Sequence, residues 1–283
     1  MAIPLYAGKL ERSWYYSYRV ICALIFIFLI GPILVIIPLS FNAEPYFTFT
    51  QEMLSLDPAG YSLRWYEDFF GSEVWMESIK NSFIIGIAAT ILATVLGTIA
   101  ALGLSRPQMP FRTLIMSILI SPMIVPLIIS AAGMFFFYSK VNLAQTFIGV
   151  VLAHTALGIP FVVITVTATL SSFDNTLTRA AAGMGATPAF AFRKVVLPLV
   201  TPGVVSGALF AFITSFDEVV IVIFLAGVNQ RTIPLQMWSG IREQISPTIL
   251  AVATILVAIS IALLTVLELL RRRSELQRGV SAA

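Results

Sequence analysis

Six stretches of this chain contain no Asp, Glu, Lys or Arg: residues 20–43, 81–105, 113–139, 141–173, 195–216 and 244–267. Each matches or exceeds the roughly 20 residues that a helix needs to cross about 30 Å of hydrocarbon. The whole chain is 58% hydrophobic and 11% charged, whereas soluble domains are about half apolar and a quarter charged. The pattern predicts an all-α integral membrane protein with six spans, at about residues 20–41, 81–104, 114–138, 144–170, 202–226 and 247–270. Together they make one transmembrane domain over 20–270, between a short segment 1–19 and a tail 271–283. The first run is too long for a signal peptide, and "SFNAEP" is a poor cleavage site, so a retained first helix is expected.

Lys and Arg give the orientation. With the N-terminus inside, the cytoplasmic side holds Lys9, Arg12, Arg19, Arg106, Arg112, Arg179, Arg193, Lys194, Arg271, Arg272, Arg273 and Arg278. The other side holds Arg64, Lys80, Lys140, Arg231 and Arg242. Twelve against five predicts both termini in the cytoplasm. The net charge of +3 is then a topology signal, and no nucleic-acid partner is expected. Cys22 is the only cysteine, which excludes a disulfide within the chain. His154 is the only histidine, and with no H-E-x-x-H it is expected to pack rather than to bind metal.

Local chemistry adds detail. Ala89, Ala93, Gly97 and Ala101 recur every fourth residue in the second span, a stripe on which another helix can approach closely. Arg106, Pro107, Pro110 and Arg112 predict a tight turn, and Pro122 and Pro126 interrupt the third span. Thr201-Pro202 and Ser246-Pro247 read as the starts of the fifth and sixth spans, with Gly203 and Gly207 repeating the close-packing spacing. Between the first two spans, "YSLRWYEDFFGSEVW" mixes Trp65, Tyr66, Phe69, Phe70 and Trp75 with charges, as suits a short helix at the membrane–water boundary.

The segment Thr178 to Val200, "TRAAAGMGATPAFAFRKVVLPLV", is unlike its surroundings. Asp174 or Asn175 can cap a helix that Gly185 ends in a left-handed conformation. Thr187-Pro188 then starts a second helix, ending near Leu197-Pro198. The expected product is an elbow over 174–198 whose first helix has a bare face of Ala180, Ala181 and Ala182. A bare face beside cations suits docking into a groove on another protein.

This stretch resembles the E-A-A-x-x-x-G-x(9)-I-x-L-P motif of inner-membrane permease subunits of binding-protein-dependent ABC importers. Ala180, Ala181, Gly185, Val195, Leu197 and Pro198 fall on its positions, with Val for Ile and with Arg179 where the family usually has Glu. "LRWYEDFF", "KNSF", "GIPFVVITVTATLSSFD", "SFDEVVIVIFLAG", "TIPLQMW" and "ISPTILAVATIL" resemble the spermidine/putrescine branch. The resemblance implies a type I importer permease fold in a bacterial inner membrane and a coupling helix docked in a cytoplasmic ATPase. The coupling segment would comprise Arg179, Ala180, Ala181, Ala182, Gly183, Gly185, Ala186, Thr187, Pro188, Leu197 and Pro198. It further implies a second homologous permease, two ATPase subunits and a soluble binding protein. No G-x-x-x-x-G-K-[ST] occurs in this chain, so ATP and Mg are expected on the ATPase and no cofactor here.

Asp217 and Glu218 follow 22 uncharged residues. In a span that starts at Pro202 they lie roughly 22 Å along the helix, beyond the midplane. A charge at such depth faces a cavity or a partner, and adjacent helical residues point about 100° apart, so the two acids are expected to differ in role. Asp217, Glu218 and Phe216 are the candidate pathway residues, suited to a cation such as a polyamine; opines, amino-acid-like amines and iron chelates are the other substrates considered. A passive channel would not need the elbow, and an intramembrane enzyme would need more than one His and one Cys.

Overall fold

The computed structural model describes residues 8–277 except 107, 172, 175, 244 and 245. Pro107, Asn175 and Arg278, for which a turn, a cap and an anchoring charge were expected, lie outside the described residues. The helices in chain order are α1 (Lys9–Leu39), α2 (Gln51–Leu54), α3 (Arg64–Gly71), α4 (Glu73–Leu104), α5 (Arg112–Ile124), α6 (Leu127–Lys140), α7 (Phe147–Ser171), α8 (Thr176–Gly183), α9 (Pro188–Ala191), α10 (Leu197–Phe216), α11 (Val220–Leu225), α12 (Ile233–Glu243) and α13 (Thr248–Gln277). They form two compact units, one built on α1–α3 and α13, the other on α4–α11.

In the first unit α1 and α3 both pack against α13. The apolar window of α1 buries none of its residues within the protein, an apolar surface of the kind covered by lipid or by another helix. Beyond it, Asn42 ties the following loop: its side-chain amide donates to the carbonyls of Tyr46 and Thr48, and its own carbonyl accepts the Trp65 indole N–H at 2.7 Å. The Tyr66 hydroxyl lies 2.7 Å from Ser40 Oγ. Trp65 and Phe69 are therefore buried and only Phe70 of the three is exposed, so two of the aromatic residues expected at the membrane–water boundary pack within the protein.

The second unit is held by α4, α7 and α10. A Cβ added at Gly97 would stand 2.7 Å from Val162 Cβ, and one at Gly158 would stand 3.0 Å from both Ala93 and Ala211. Gly203 and Gly207 are as tightly closed, against Thr169 and Thr165. Those threonines donate their hydroxyls back to the carbonyls of residues 165 and 161, each at 2.9 Å, so the oxygens that meet the two glycines are already bonded within their own helix. The small-residue stripe on α4 is thus the contact surface: Ala89, Ala93, Gly97 and Ala101 are all buried.

Among the described residues, four helices are long and apolar enough to cross a membrane, or five when α5 and α6 count as one span bent by 102°. The bend occurs at Val125–Pro126, because Pro126 cannot donate into a continuing helix. α13 begins at Thr248, whose N–H donates to Ser246 Oγ, the start expected from Ser246-Pro247. The fifth span departs from expectation at both ends. Thr201-Pro202 does not start it; Thr201 Oγ donates to Leu197 O within a running helix. That helix begins at Pro188 and runs through α9, a π-turn at Phe192–Val196 and α10 to Phe216. The wider turn lies just before Pro198, where a missing N–H would otherwise leave an α-helical carbonyl unpaired. The expected end at Leu197-Pro198 and the expected continuation to residue 226 are both replaced by this single helix.

Gly97→Val should lower the thermal unfolding temperature of the purified protein in detergent, because overpacking at such a contact costs about 1–3 kcal/mol. Gly103→Ala is the matched control: nothing lies within 4 Å of its Cβ position, and Ala is favoured over Gly in a helix by up to about 1 kcal/mol. Equal melting of the Gly97→Val variant and the wild type would show that this helix contact does not limit stability.

Candidate functional site

Two places gather the residues singled out from the sequence, and they lie at opposite ends of the helix running from Pro188 to Phe216. At its N-terminal end is the elbow. Asp174 starts α8: its carboxylate accepts the Thr176 N–H at 2.8 Å and the Thr176 hydroxyl at 2.6 Å. These bonds, with Arg179 a smaller contributor, hold the Asp174 carboxyl below its usual range. At the far end the Ala186 N–H reaches back to Ala181 O and the Gly185 N–H to Ala182 O, each at 3.0 Å. This is the paired closure that needs a left-handed residue, and Gly185 supplies it with φ +81°. Thr187 Oγ1 then accepts the Phe190 N–H, and Pro188 occupies the first turn of α9.

The bare alanine face is narrower than the sequence implies. Ala181 turns inward and is buried, as is Ala191 opposite it, while Ala180 and Ala182 face out. What projects instead is larger: Met184 is 83% exposed, Phe190 56% and Leu177 44%. Arg179, Gly183, Gly185, Thr187, Pro188, Arg193, Lys194 and Pro198 are exposed around them, and Ala186 and Leu197 are half-buried. The elbow therefore presents apolar knobs among cations. Composition hid these knobs, because most Leu, Met and Phe in this chain lie in its apolar runs.

At the C-terminal end the helix stops at Phe216. The Asp217 N–H closes the last turn on Ile213 O at 3.0 Å, and α11 restarts at Val220. The two acids thus sit in a break between helices, not on successive faces of one span. Glu218 is buried, and its Oε1 accepts the Ile221 N–H at 2.9 Å; a carboxylate at a helix N-terminus is favoured there. Asp217 is exposed, and among the described residues no hydrogen bond or ion pair engages its carboxylate. The surroundings of the two acids differ because of the break, not because of helical rotation.

The break is fixed from three sides. α11 buries Ile221, Val222 and Leu225 against Ile85 of α4, Ala131 of α6 and Val150, Ala153 and Leu157 of α7. Beyond α11, the buried Asn81 donates to the carbonyls of Asn229 and Arg231 at 2.9 Å each, and Ser82 Oγ accepts the Ile233 N–H at 2.8 Å. Just before it, His154 of α7 is buried with Nδ1 2.8 Å from Ser215 Oγ, the packing histidine expected. Phe216 meets Phe83 at 5.4 Å and Phe212 at 5.5 Å between ring centroids. Sequence reasoning missed Phe83 and Phe212; the spacing of four between Phe212 and Phe216 was the available signal.

Residues 93–276, which include the elbow and the helix break, match the family described as binding-protein-dependent transport system inner membrane component. The chain belongs to that family. It is a multi-pass inner-membrane permease subunit of an ABC importer, and a transport subunit rather than an enzyme. It is 30% identical over 250 residues to the spermidine/putrescine transport system permease protein PotC of Haemophilus influenzae, covering 88% of this chain and 94% of that one. It is 29% identical over 248 residues to the putrescine transport system permease protein PotI of Escherichia coli, covering 84% of each. Among solved structures, it superposes with TM-score 0.70 on a bacterial ABC transporter involved in the import of the acidic polysaccharide alginate, at 16% identity, covering 95% of this chain and 99% of that one. For the MetNI methionine ABC transporter the TM-score is 0.51 at 20% identity, covering 77% of this chain and 98% of that one. These likenesses are of fold, the type I permease fold.

Gly185→Val should leave the permease inserted but abolish uptake, since a β-branched residue is strained at positive φ. Gly103→Ala, at a helical position outside the elbow with nothing within 4 Å of its Cβ, should transport normally. Membrane fractionation and uptake assays on both variants check this, and full uptake by Gly185→Val would remove the elbow from the mechanism.

Proposed function

We propose that this permease conducts a small organic cation of the polyamine class, delivered by a soluble binding protein and driven by a separate ATPase. The observation that carries the substrate class is the 30% identity to a spermidine/putrescine permease across 88% of the chain. Asp217 supports it: an unpaired carboxylate at a break in an apolar helix suits a cation moving through a low-dielectric passage.

The proposed complex contains a second, homologous permease, two ATPase subunits that hold ATP and Mg, and the binding protein; this chain itself holds no cofactor. The excess of Lys and Arg on one side puts both termini and the elbow in the cytoplasm and the break toward the opposite face. The spans are then α1, α4, the bent pair α5–α6, α7, the Pro188–Phe216 helix and α13. Leu177, Met184 and Phe190 would enter the ATPase cleft, with Arg179, Arg193 and Lys194 meeting acids at its rim. Closure of the ATPases on ATP draws the two elbows together and opens the cavity to the binding protein, and hydrolysis returns it inward.

Proteoliposomes holding the assembled transporter should accumulate labelled putrescine or spermidine only with ATP and loaded binding protein. Asp217→Asn keeps shape and removes charge, and should slow uptake roughly tenfold, equivalent to about 1.4 kcal/mol. Glu218→Gln keeps an oxygen for the Ile221 N–H and should transport near the wild-type rate. Unchanged uptake with Asp217→Asn would discard the electrostatic role. Arg179→Glu should weaken association with the ATPase, more at low than at high salt, because screening shortens the reach of exposed charges. Salt-independent, unchanged assembly would leave Arg179 as a solvated cation.

A further inference from the structure

Three aromatic rings meet at the end of α10, whose last residue, Phe216, precedes Asp217. Phe212 and Phe216, one helical turn apart on α10, stack at 28° with centroids 5.5 Å apart. Phe83 of α4 approaches Phe216 edge-on, at 5.4 Å and 62°. The arrangement has a seat: a Cβ at Gly86 would lie 3.2 Å from Phe212 Cε2, so the glycine lets the ring lie down on α4. Phe83 is 44% exposed, and Phe212 and Phe216 are half-buried. None of the three belongs to the buried clusters that hold the helices together.

We propose that Phe83, Phe212 and Phe216 form an aromatic shelf which, with Asp217, binds an alkylammonium ion during passage. The inference rests on the polyamine reading and specifies how that substrate is held. Each ring face carries a negative quadrupole that attracts an ammonium ion, and attraction grows as water is removed. The same faces accept methylene groups without a polar partner. A molecule that alternates ammonium ions with short methylene runs can therefore slide along the shelf, one ammonium at Asp217 and the chain against the rings. A surface facing only acyl chains would not carry a helix break and an unpaired carboxylate, since both are costly in hydrocarbon.

The test compares quadrupole with bulk in the assembled transporter, with saturating loaded binding protein and labelled putrescine or spermidine. Phe216→Leu and Phe83→Leu keep an apolar side chain and remove the ring; each should lower the maximal rate by about two- to thirtyfold. Phe216→Tyr and Phe216→Trp should restore it to within about twofold, and co-purification of all subunits should be unchanged in Phe83→Leu, whose ring is open to the surface. Leucine variants at the wild-type rate would overturn the shelf alone. So would aromatic replacements as slow as leucine, because the role would then be packing. Crosslinking of a cysteine at position 83 to the second permease in every transport state would overturn it in favour of a subunit contact. A wild-type complex that imports no amine would overturn the substrate reading and the shelf with it.

Discussion

The rest of the structure depends on how closely α4, α7 and α10 approach one another. In hydrocarbon, burying a leucine against another helix gains little over burying it in lipid, so helices associate through packing and polar contacts that need short distances. Here the distance is set by absent side chains at Gly97, Gly158, Gly203 and Gly207, each of which would clash or crowd if it carried a Cβ. Thr165 and Thr169 contribute by spending their hydroxyls on their own helix. A groove that close has no room for lateral adjustment, so anything at the ends of α10 is positioned by the middle of it.

That positioning makes a helix break tolerable. A free backbone between Phe216 and Val220 leaves donors and acceptors that lipid cannot satisfy. The fold answers by burying α11 on three sides and assigning Glu218 to its first free N–H groups. One carboxylate is thereby consumed by the architecture and its neighbour is left over. The pairing of a committed acid with an uncommitted one is how a single polar group can be exposed in an apolar setting without loosening the chain around it.

The sequence displayed what depends on composition over a window and concealed what depends on single bonds. Apolar runs marked the helices, the fourfold spacing of Ala89, Ala93, Gly97 and Ala101 marked the face they share, and Gly185 marked a left-handed stop because few other residues adopt one. The end of α10 left no such trace: residues on both sides of Asp217 are equally apolar, so periodicity runs through the break. The start of the same helix misled for the opposite reason. Pro198 and Pro202 read as boundaries, yet a π-turn at Phe192–Val196 absorbs the disruption. The inward turn of α3 depended on the indole of Trp65 finding the carbonyl of Asn42, a contact 23 residues away that no local pattern encodes. Ala181 was misjudged on a smaller scale, because an alanine fits a buried contact as well as an open face.

Merging the second elbow helix into the span changes what coupling requires. From Pro188 to Phe216 the chain is one helix of 29 residues, roughly 43 Å at 1.5 Å per residue. Its first turns belong to the elbow, and its last residue precedes the unpaired carboxylate. Had Leu197-Pro198 ended one helix and Thr201-Pro202 begun another, a displacement of the elbow could dissipate in the loop between them. In the observed fold the weak points along this length are the π-turn at the end of the elbow and Pro198 and Pro202 that follow it, where fewer backbone hydrogen bonds resist a bend. Past them, Gly203 and Gly207 lock the rod to α7, and His154 holds it again through Ser215. Interfaces this tight move between discrete arrangements rather than deforming smoothly. On the proposed mechanism, therefore, a push delivered at the elbow either bends the helix at one of these points or carries α7 and α10 together to the break, and it is the second response that would reposition Asp217.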